Sequence, residues 1–120
     1  MAKSLLIISR QAPWSGLSAR EALDIALAGG AYDLPVGMLF LDDGVFQLSP
    51  GQDASQLQQK DLVANLKALA MFGVEDVYAC GASLSNRGIL PDQLNIEPLT
   101  VVDDQELGAL IDRYDQVITL

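Results

Sequence analysis

An apolar strand passes directly into a short polar helix in residues 77–88, VYACGASLSNRG. The apolar run predicts a strand from Asp76 to Cys80. The small polar residues that follow predict a helix to about Asn86, and Gly88 ends it. Cys80, the only cysteine of the chain, therefore stands where the strand ends and the helix begins. The unpaired N–H groups of a helix start favour a thiolate over a thiol, so this position suits a reactive cysteine as well as a buried structural one.

The same alternation of strand and helix extends along the rest of the chain and predicts its fold class. Four further apolar runs predict strands at Ser4–Arg10, Leu34–Leu41, Leu99–Val102 and Gln116–Leu120. The predicted fold is α/β, a three-layer α/β/α sandwich with a five-stranded, mainly parallel sheet that is flavodoxin-like in outline. Residues 1–120 are predicted to form one domain, since 120 residues fit a single core.

Three longer helices are predicted between these strands. The first opens at a capping box, Ser18–Glu21, and ends at Gly29 and Gly30, with Ala22, Ile25, Ala26 and Gly29 on its buried face. The second has cap candidates at Asp53 and Ser55 and ends at Gly73. The third has Asp103 as its cap with Glu106 three residues on, and its buried stripe is Leu107, Leu110, Ile111 and Tyr114.

Composition excludes several classes of function. Sixteen acidic residues against seven basic ones give a net charge of −9, so direct nucleic-acid binding and binding to an anionic membrane are not expected. The chain has no histidine, which removes the usual metal ligand and the usual general base. We therefore expect no metal and no cofactor. Since no stretch has the length of a membrane span and no cleavage site precedes the first strand, a cytoplasmic protein is predicted.

Functional groups of open α/β sheets collect at the carboxyl ends of the strands. The loop Gln11–Gly16 lacks a glycine fingerprint for a phosphate group. Asp42 and Asp43 resemble the acidic strand end of a phosphoacceptor domain, but the other residues of such a site are missing, and a loop cap is the favoured interpretation. A small-molecule-binding α/β module stays open as an alternative that rests on fold class and on the acidic Asp42–Asp43 pair.

The loop after the second strand carries Val45, Phe46 and Leu48, where a loop normally turns polar. These apolar side chains must be covered. They either fold back on their own domain or form part of a subunit interface.

The whole chain resembles the DsrE/DsrF-like family of sulfur-relay proteins, and within it the TusC-like, or DsrF-like, subunits. Three motifs carry the resemblance: Arg20–Leu23 (REAL), Asp43–Gly51 (DGVFQLSPG) and Cys80–Gly88 (CGASLSNRG). The second of them is the subfamily-specific part.

The resemblance implies a heterohexamer with TusB-like and TusD-like subunits. Such a complex accepts persulfide sulfur from a TusA-like carrier and passes it through a TusE-like carrier for 2-thiouridine modification of tRNA wobble positions. In sulfur-oxidising bacteria a similar complex serves dissimilatory sulfur oxidation. The expected contribution of a TusC-like subunit is assembly of the complex, as a non-catalytic member.

Cys80 occupies the position that corresponds to the sulfur-carrying cysteine of TusD-like subunits, eight residues before Gly88. The resemblance therefore leaves an alternative in which Cys80 itself is a persulfide carrier. Ser83 is a candidate donor and Arg87 a candidate cation near such a site. For both, a structural role is the favoured interpretation: a helix-start hydroxyl for Ser83, and pairing with an acid or capping of a carbonyl for Arg87.

Overall fold

A computed structural model of the chain describes residues 4–11, 18–32, 35–48, 68–69, 71, 73–74, 76–89 and 99–120. Its strands are β1 (Leu5–Ser9), β2 (Val36–Phe40), β3 (Asp76–Cys80), β4 (Thr100–Val102) and β5 (Gln116–Thr119). The α-helices within these ranges are α1 (Ser18–Ala31), α2 (Gly81–Asn86) and α3 (Asp104–Asp112), and a 3₁₀ helix, Asp42–Leu48, follows β2.

The five strands form one sheet in the order β4-β3-β2-β1-β5, and every pair of neighbours is parallel. This confirms the predicted parallel sheet. The chain adds β2, β3 and β4 on one side of β1 and then crosses back to place β5 on the other side. The layers match the flavodoxin outline, whereas flavodoxin itself has the strand order 2-1-3-4-5.

Two hydrophobic cores, one on each face of the sheet, confirm the three layers. Alternate side chains of a strand point to opposite faces. On one face Ile7, Met38 and Phe40 pack with Ala22, Leu23 and Ala26 of α1. On the other face Leu6, Ile8, Leu39 and Val102 pack with Leu110 of α3.

The predicted end of the first helix is wrong, because α1 continues through Gly29 and Gly30 to Ala31. Both glycines are buried, and a β-carbon on Gly29 would lie only 2.7 Å from Val36 Cγ2. The missing side chain therefore lets the helix lie close to β2 and does not stop it. The predicted face also needs one correction, since Ile25 is exposed and Leu23 is the buried residue in its place.

Helix α3 begins as predicted. The Asp103 carboxylate accepts from the Glu106 N–H at 2.8 Å, and the Asp103 N–H donates to Glu106 Oε1 at 3.1 Å. These two bonds are a capping box, which satisfies backbone donors that a helix start leaves free.

Past the end of α3, Tyr114 lies over Gly37 of β2, where a β-carbon would overlap the tyrosine hydroxyl. Burial, the neighbouring Tyr78 and the hydrogen bond to it raise the pKa of Tyr114.

The helix predicted between Asp53 and Gly73, with its cap candidates, falls largely outside the described residues, as does the loop after Gln11.

Candidate functional site

The carboxyl ends of β1, β2, β3 and β4 meet along one edge of the sheet, because the strands are parallel. Three structures follow these ends: the 3₁₀ helix after β2, α2 after β3 and α3 after β4. Arg10, Asp42, Cys80 and Asp103, which end or closely follow these four strands, therefore lie at this edge. Their side chains do not converge on one centre: Arg10 pairs with Asp42, Asp103 caps α3, and Cys80 is buried.

Cys80 is the N-cap residue of α2, with extended backbone angles of φ −75° and ψ 118°. Its thiol is not in a disulfide, and the residue is 3% exposed. Because Cys80 lies beside Val102 in the register and two residues after Tyr78, its side chain belongs to the face that α3 covers. A persulfide-carrying sulfur has to be reached by a second thiolate, whereas Cys80 is buried in this conformation.

Ser83, in the first turn of α2, connects that helix to the end of β2. Its Oγ accepts a hydrogen bond from the Asp42 N–H at 2.9 Å, and the side chain is buried. The hydroxyl thus satisfies a backbone donor where the chain leaves β2. Sequence favoured a helix-start hydroxyl for Ser83, but its partner is the backbone of a neighbouring segment, and the start of α2 has no side-chain cap.

Arg87 follows the last turn of α2 and makes both contacts that its structural interpretation predicts. Its Nε donates to Asp43 Oδ1 at 2.9 Å, and one terminal nitrogen donates to the Ser83 carbonyl at 3.3 Å. The guanidinium therefore joins the end of α2 to the start of the 3₁₀ helix. Its charge is paired there and is not directed at the thiol of Cys80.

A second ion pair holds the other side of the same turn. Arg10, just after β1, donates from two nitrogens to Asp42 Oδ2 at 2.7 and 2.8 Å. Asp42 also has a left-handed backbone angle, φ +52°, which few residues other than glycine, asparagine and aspartate adopt. The two adjacent aspartates thus tie the turn to β1 and to α2, and this extends the loop-cap interpretation of Asp42 and Asp43.

Gly44 allows the 3₁₀ helix to lie directly on the end of β1. A β-carbon at this position would overlap the carbonyl oxygen of Ser9, a backbone atom that cannot move away. The Gly44 N–H closes the turn by donating to the Leu41 carbonyl at 2.9 Å. The glycine of the DGVFQLSPG motif is therefore required by a close approach of two backbone segments.

Gln47, from the same motif, is a buried polar residue that the sequence reasoning missed. Its Nε2 donates to Ser9 Oγ at 2.7 Å and to the Gln11 carbonyl at 3.0 Å, and Gln47 and Ser9 are both buried. Within the described ranges no group donates to Gln47 Oε1. The signal for this pair was a lone amide inside an apolar run, VFQL, but its partner lies 38 residues away.

The apolar residues of the motif face their own core. Val45 and Leu48 are buried among the side chains of the α1 face, and Phe46 packs partly against the same cluster. Of the two outcomes left open by sequence, folding back on the domain describes Val45 and Leu48. Phe46, which is half-buried, is the only one of the three with surface left for a partner.

An open depression of about 310 Å³ lies beside the start of α2. Small residues, valines and acidic residues line it: Gly81, Ala82, Val101, Val102, Asp103, Asp104 and Glu106. In the described ranges no group of three or more cysteine or acidic side chains is placed to hold a metal ion. Among the same residues, none of the helices combines the length and the apolar character that a membrane span needs.

The chain is similar to known proteins in family, in sequence and in fold. The model of the DsrE/DsrF-like family matches residues 3–120. A Pseudomonas aeruginosa protein named TusC homolog is 68% identical over 120 residues and is covered completely, as is this chain. The intracellular sulfur oxidation protein DsrF of Allochromatium vinosum is 37% identical over 116 residues, which are 97% of this chain and 83% of that protein.

The fold has a close counterpart among solved structures. The crystal structure of the ychN protein from E. coli matches with a TM-score of 0.74 at 21% identity and full coverage of both chains. At that identity the match concerns the fold alone. The family model and the full-length relatives together establish that this chain belongs to the DsrE/DsrF-like family.

Proposed function

We propose that this chain is a TusC-like subunit of a sulfur-relay complex and that it contributes mainly to assembly. The complex is a heterohexamer built with TusB-like and TusD-like subunits in the cytoplasm. It receives persulfide sulfur from a TusA-like carrier and delivers it through a TusE-like carrier for thiolation of tRNA wobble uridines. The 68% identity to a TusC homolog supports the TusC-like assignment, and the 37% identity to the sulfur oxidation protein DsrF keeps dissimilatory sulfur oxidation as the alternative pathway.

The observation that carries the assembly role is the burial of Cys80. A relay cysteine must take sulfur from one protein and present it to another, which requires access from solvent. Cys80 is 3% exposed, and the nearest cation in sequence, Arg87, is bound to Asp43. These features suit a packing cysteine in a subunit whose sulfur-carrying partner is another chain.

A second candidate function is sulfur transfer on Cys80 itself, and the position of this residue at the start of α2 favours it. The Cys80 thiolate would attack the outer sulfur of a donor persulfide. The new S–S bond forms as the donor's S–S bond breaks, and the donor leaves as a thiolate, so no external oxidant is needed. This chemistry requires α2 to move enough to expose the thiol.

Native mass spectrometry of the chain co-expressed with TusB-like and TusD-like subunits tests the assembly role. We expect a heterohexamer for the wild type and for Cys80→Ser, because a buried serine of similar size keeps the packing. A wild-type chain that stays monomeric beside both partners contradicts the proposal. Loss of the hexamer in Cys80→Ser alone assigns the cysteine a role in assembly.

A further inference from the structure

The outer edge of β5 is open in the described structure. The strand pairs with β1 on one side and is the last strand of the sheet on that side. All four of its residues, Gln116 to Thr119, are exposed. Edge strands of this kind pair readily with another chain.

The register shows which backbone groups of β5 face outwards. The Gln116 N–H donates to the Ser4 carbonyl, and the Leu120 N–H donates to the Ile8 carbonyl, so the even-numbered residues bond to β1. Backbone groups alternate in direction along a strand, and therefore the N–H and C=O groups of Val117 and Thr119 point away from the sheet. The outer edge thus offers two donors and two acceptors in the spacing that another strand matches.

Among the described residues, neither layer of helices covers β5. Val117 lies beside Leu6 and Ile118 beside Ile7, and these two partners belong to opposite cores. Yet Val117 is 40% exposed and Ile118 is 37% exposed. The strand also lacks lysine, proline and any charged residue, which are the devices that keep free edges from pairing.

We propose that the outer edge of β5 receives an extended strand of a partner subunit, so that the sheet continues across the subunit boundary. Backbone hydrogen bonds from Val117 and Thr119 hold the partner strand. The exposed side chains of Val117 and Ile118, one on each face of the sheet, give the specificity. This inference rests on the proposed function, because it names the surface through which the chain enters the complex.

Charge favours a different chain over a second copy as the partner. Each copy of this chain has a net charge of −9, so two copies would repel each other, and the contact between their β5 strands would be only four residues long. The segment that precedes β5 has two acidic residues, Asp112 and Asp115, and one basic residue, Arg113, so it is acidic. A partner strand flanked by lysine or arginine is the complementary one.

Amide-resolved hydrogen exchange, on the chain alone and in the co-expressed complex, tests the proposal. The Ile118 amide, bonded to β1, should exchange slowly in both states. The Val117 and Thr119 amides should exchange fast in the free chain and at least about tenfold more slowly in the complex. Unchanged exchange at both positions in an assembled complex overturns the proposal. Slowing that depends on the concentration of the free chain overturns the choice of partner and identifies a second copy.

Variants separate this inference from the proposed function. Val117→Pro removes an outward donor and leaves every β1 bond in place, so it should fold and fail to assemble. Val117→Lys adds a charge to the edge and should also fail to assemble. With this second variant, the test does not depend on whether the proline variant folds. Val101→Lys is the matched control, a 37% exposed valine on β4 at the opposite edge, and should assemble normally. Assembly of both Val117 variants overturns the inference alone, whereas a wild type that does not assemble overturns both proposals.

Discussion

Arg87 Nε lies 2.9 Å from Asp43 Oδ1, and so the cation nearest to Cys80 in sequence is paired with the 3₁₀ helix. This one contact decides between two roles for the arginine. A guanidinium that stabilised a thiolate would have to leave Asp43 and the Ser83 carbonyl. The arrangement thus indicates a structural role for this edge of the sheet, where ion pairs and buried hydrogen bonds hold the segments together.

The ion pair between Asp43 and Arg87 should contribute little to the free energy of unfolding. The other hydrogen bond of Arg87, to the Ser83 carbonyl, should contribute more. In a double-mutant cycle with Asp43→Ala and Arg87→Ala, we expect a coupling free energy of about 0.5–1 kcal/mol, since the carboxylate is exposed to solvent. Arg87→Ala alone should cost more than Asp43→Ala, because it also removes the bond to the Ser83 carbonyl. Urea unfolding of the four proteins measures both. Equal single costs would contradict the role at the end of α2.

Gly44→Ala should strongly destabilise the fold. The added methyl group would overlap the Ser9 carbonyl oxygen, and the 3₁₀ helix cannot move off β1 without exposing Val45 and Leu48. We expect a loss of about 3 kcal/mol in the free energy of unfolding.

Gly108→Ala in α3 is the matched control for that substitution. A β-carbon there meets nothing within 4 Å, so the variant should gain about 0.5–1 kcal/mol from helix propensity. Urea unfolding of both variants gives the comparison. A Gly44→Ala variant as stable as the wild type would show that the close approach to Ser9 is not required.

Tyr114 should make stability fall in alkali. Its pKa is raised in the folded state, so above the ordinary tyrosine pKa the unfolded chain releases a proton that the folded chain keeps. The contribution is fully present below about pH 10 and is lost above it at about 1.4 kcal/mol per pH unit.

Thermal melts between pH 8 and 11 measure this loss. Tyr114→Phe should have a flatter profile, whereas Tyr32→Phe, at an 82% exposed position, should follow the wild type. Identical slopes for the wild type and Tyr114→Phe would contradict the prediction.

Cys80 should react slowly with a thiol reagent while the chain is folded. Because Cys80 is 3% exposed, reaction needs local opening at the start of α2, and we expect rates about 100-fold below those in denaturant. Tyr32→Cys in a Cys80→Ser background supplies an exposed thiol as the control and should react fast when folded. A folded Cys80 that reacts at the denatured rate would remove the argument from burial.

Much of this fold can be predicted from local sequence patterns, whereas the contacts of the candidate site cannot. Apolar runs located all five strands, and the Asp103–Glu106 spacing identified a capping box, because each signal lies within a few residues. The predicted end of α1 was wrong, because Gly29 allows a close contact with Val36, which local sequence does not reveal. The Gln47–Ser9 pair and the direction of the Cys80 side chain depend on strand register, which brings together residues far apart in the chain.

In the proposed complex this subunit serves assembly, and sulfur travels on another chain. Intact mass spectrometry of the co-expressed complex after exposure to a persulfide donor tests this division of roles, with Cys80→Ser as the matched control. We predict sulfur adducts on the TusD-like subunit alone, with equal loading of the wild-type and Cys80→Ser complexes. A sulfur adduct on this chain that disappears in Cys80→Ser would contradict the claim and make Cys80 a carrier.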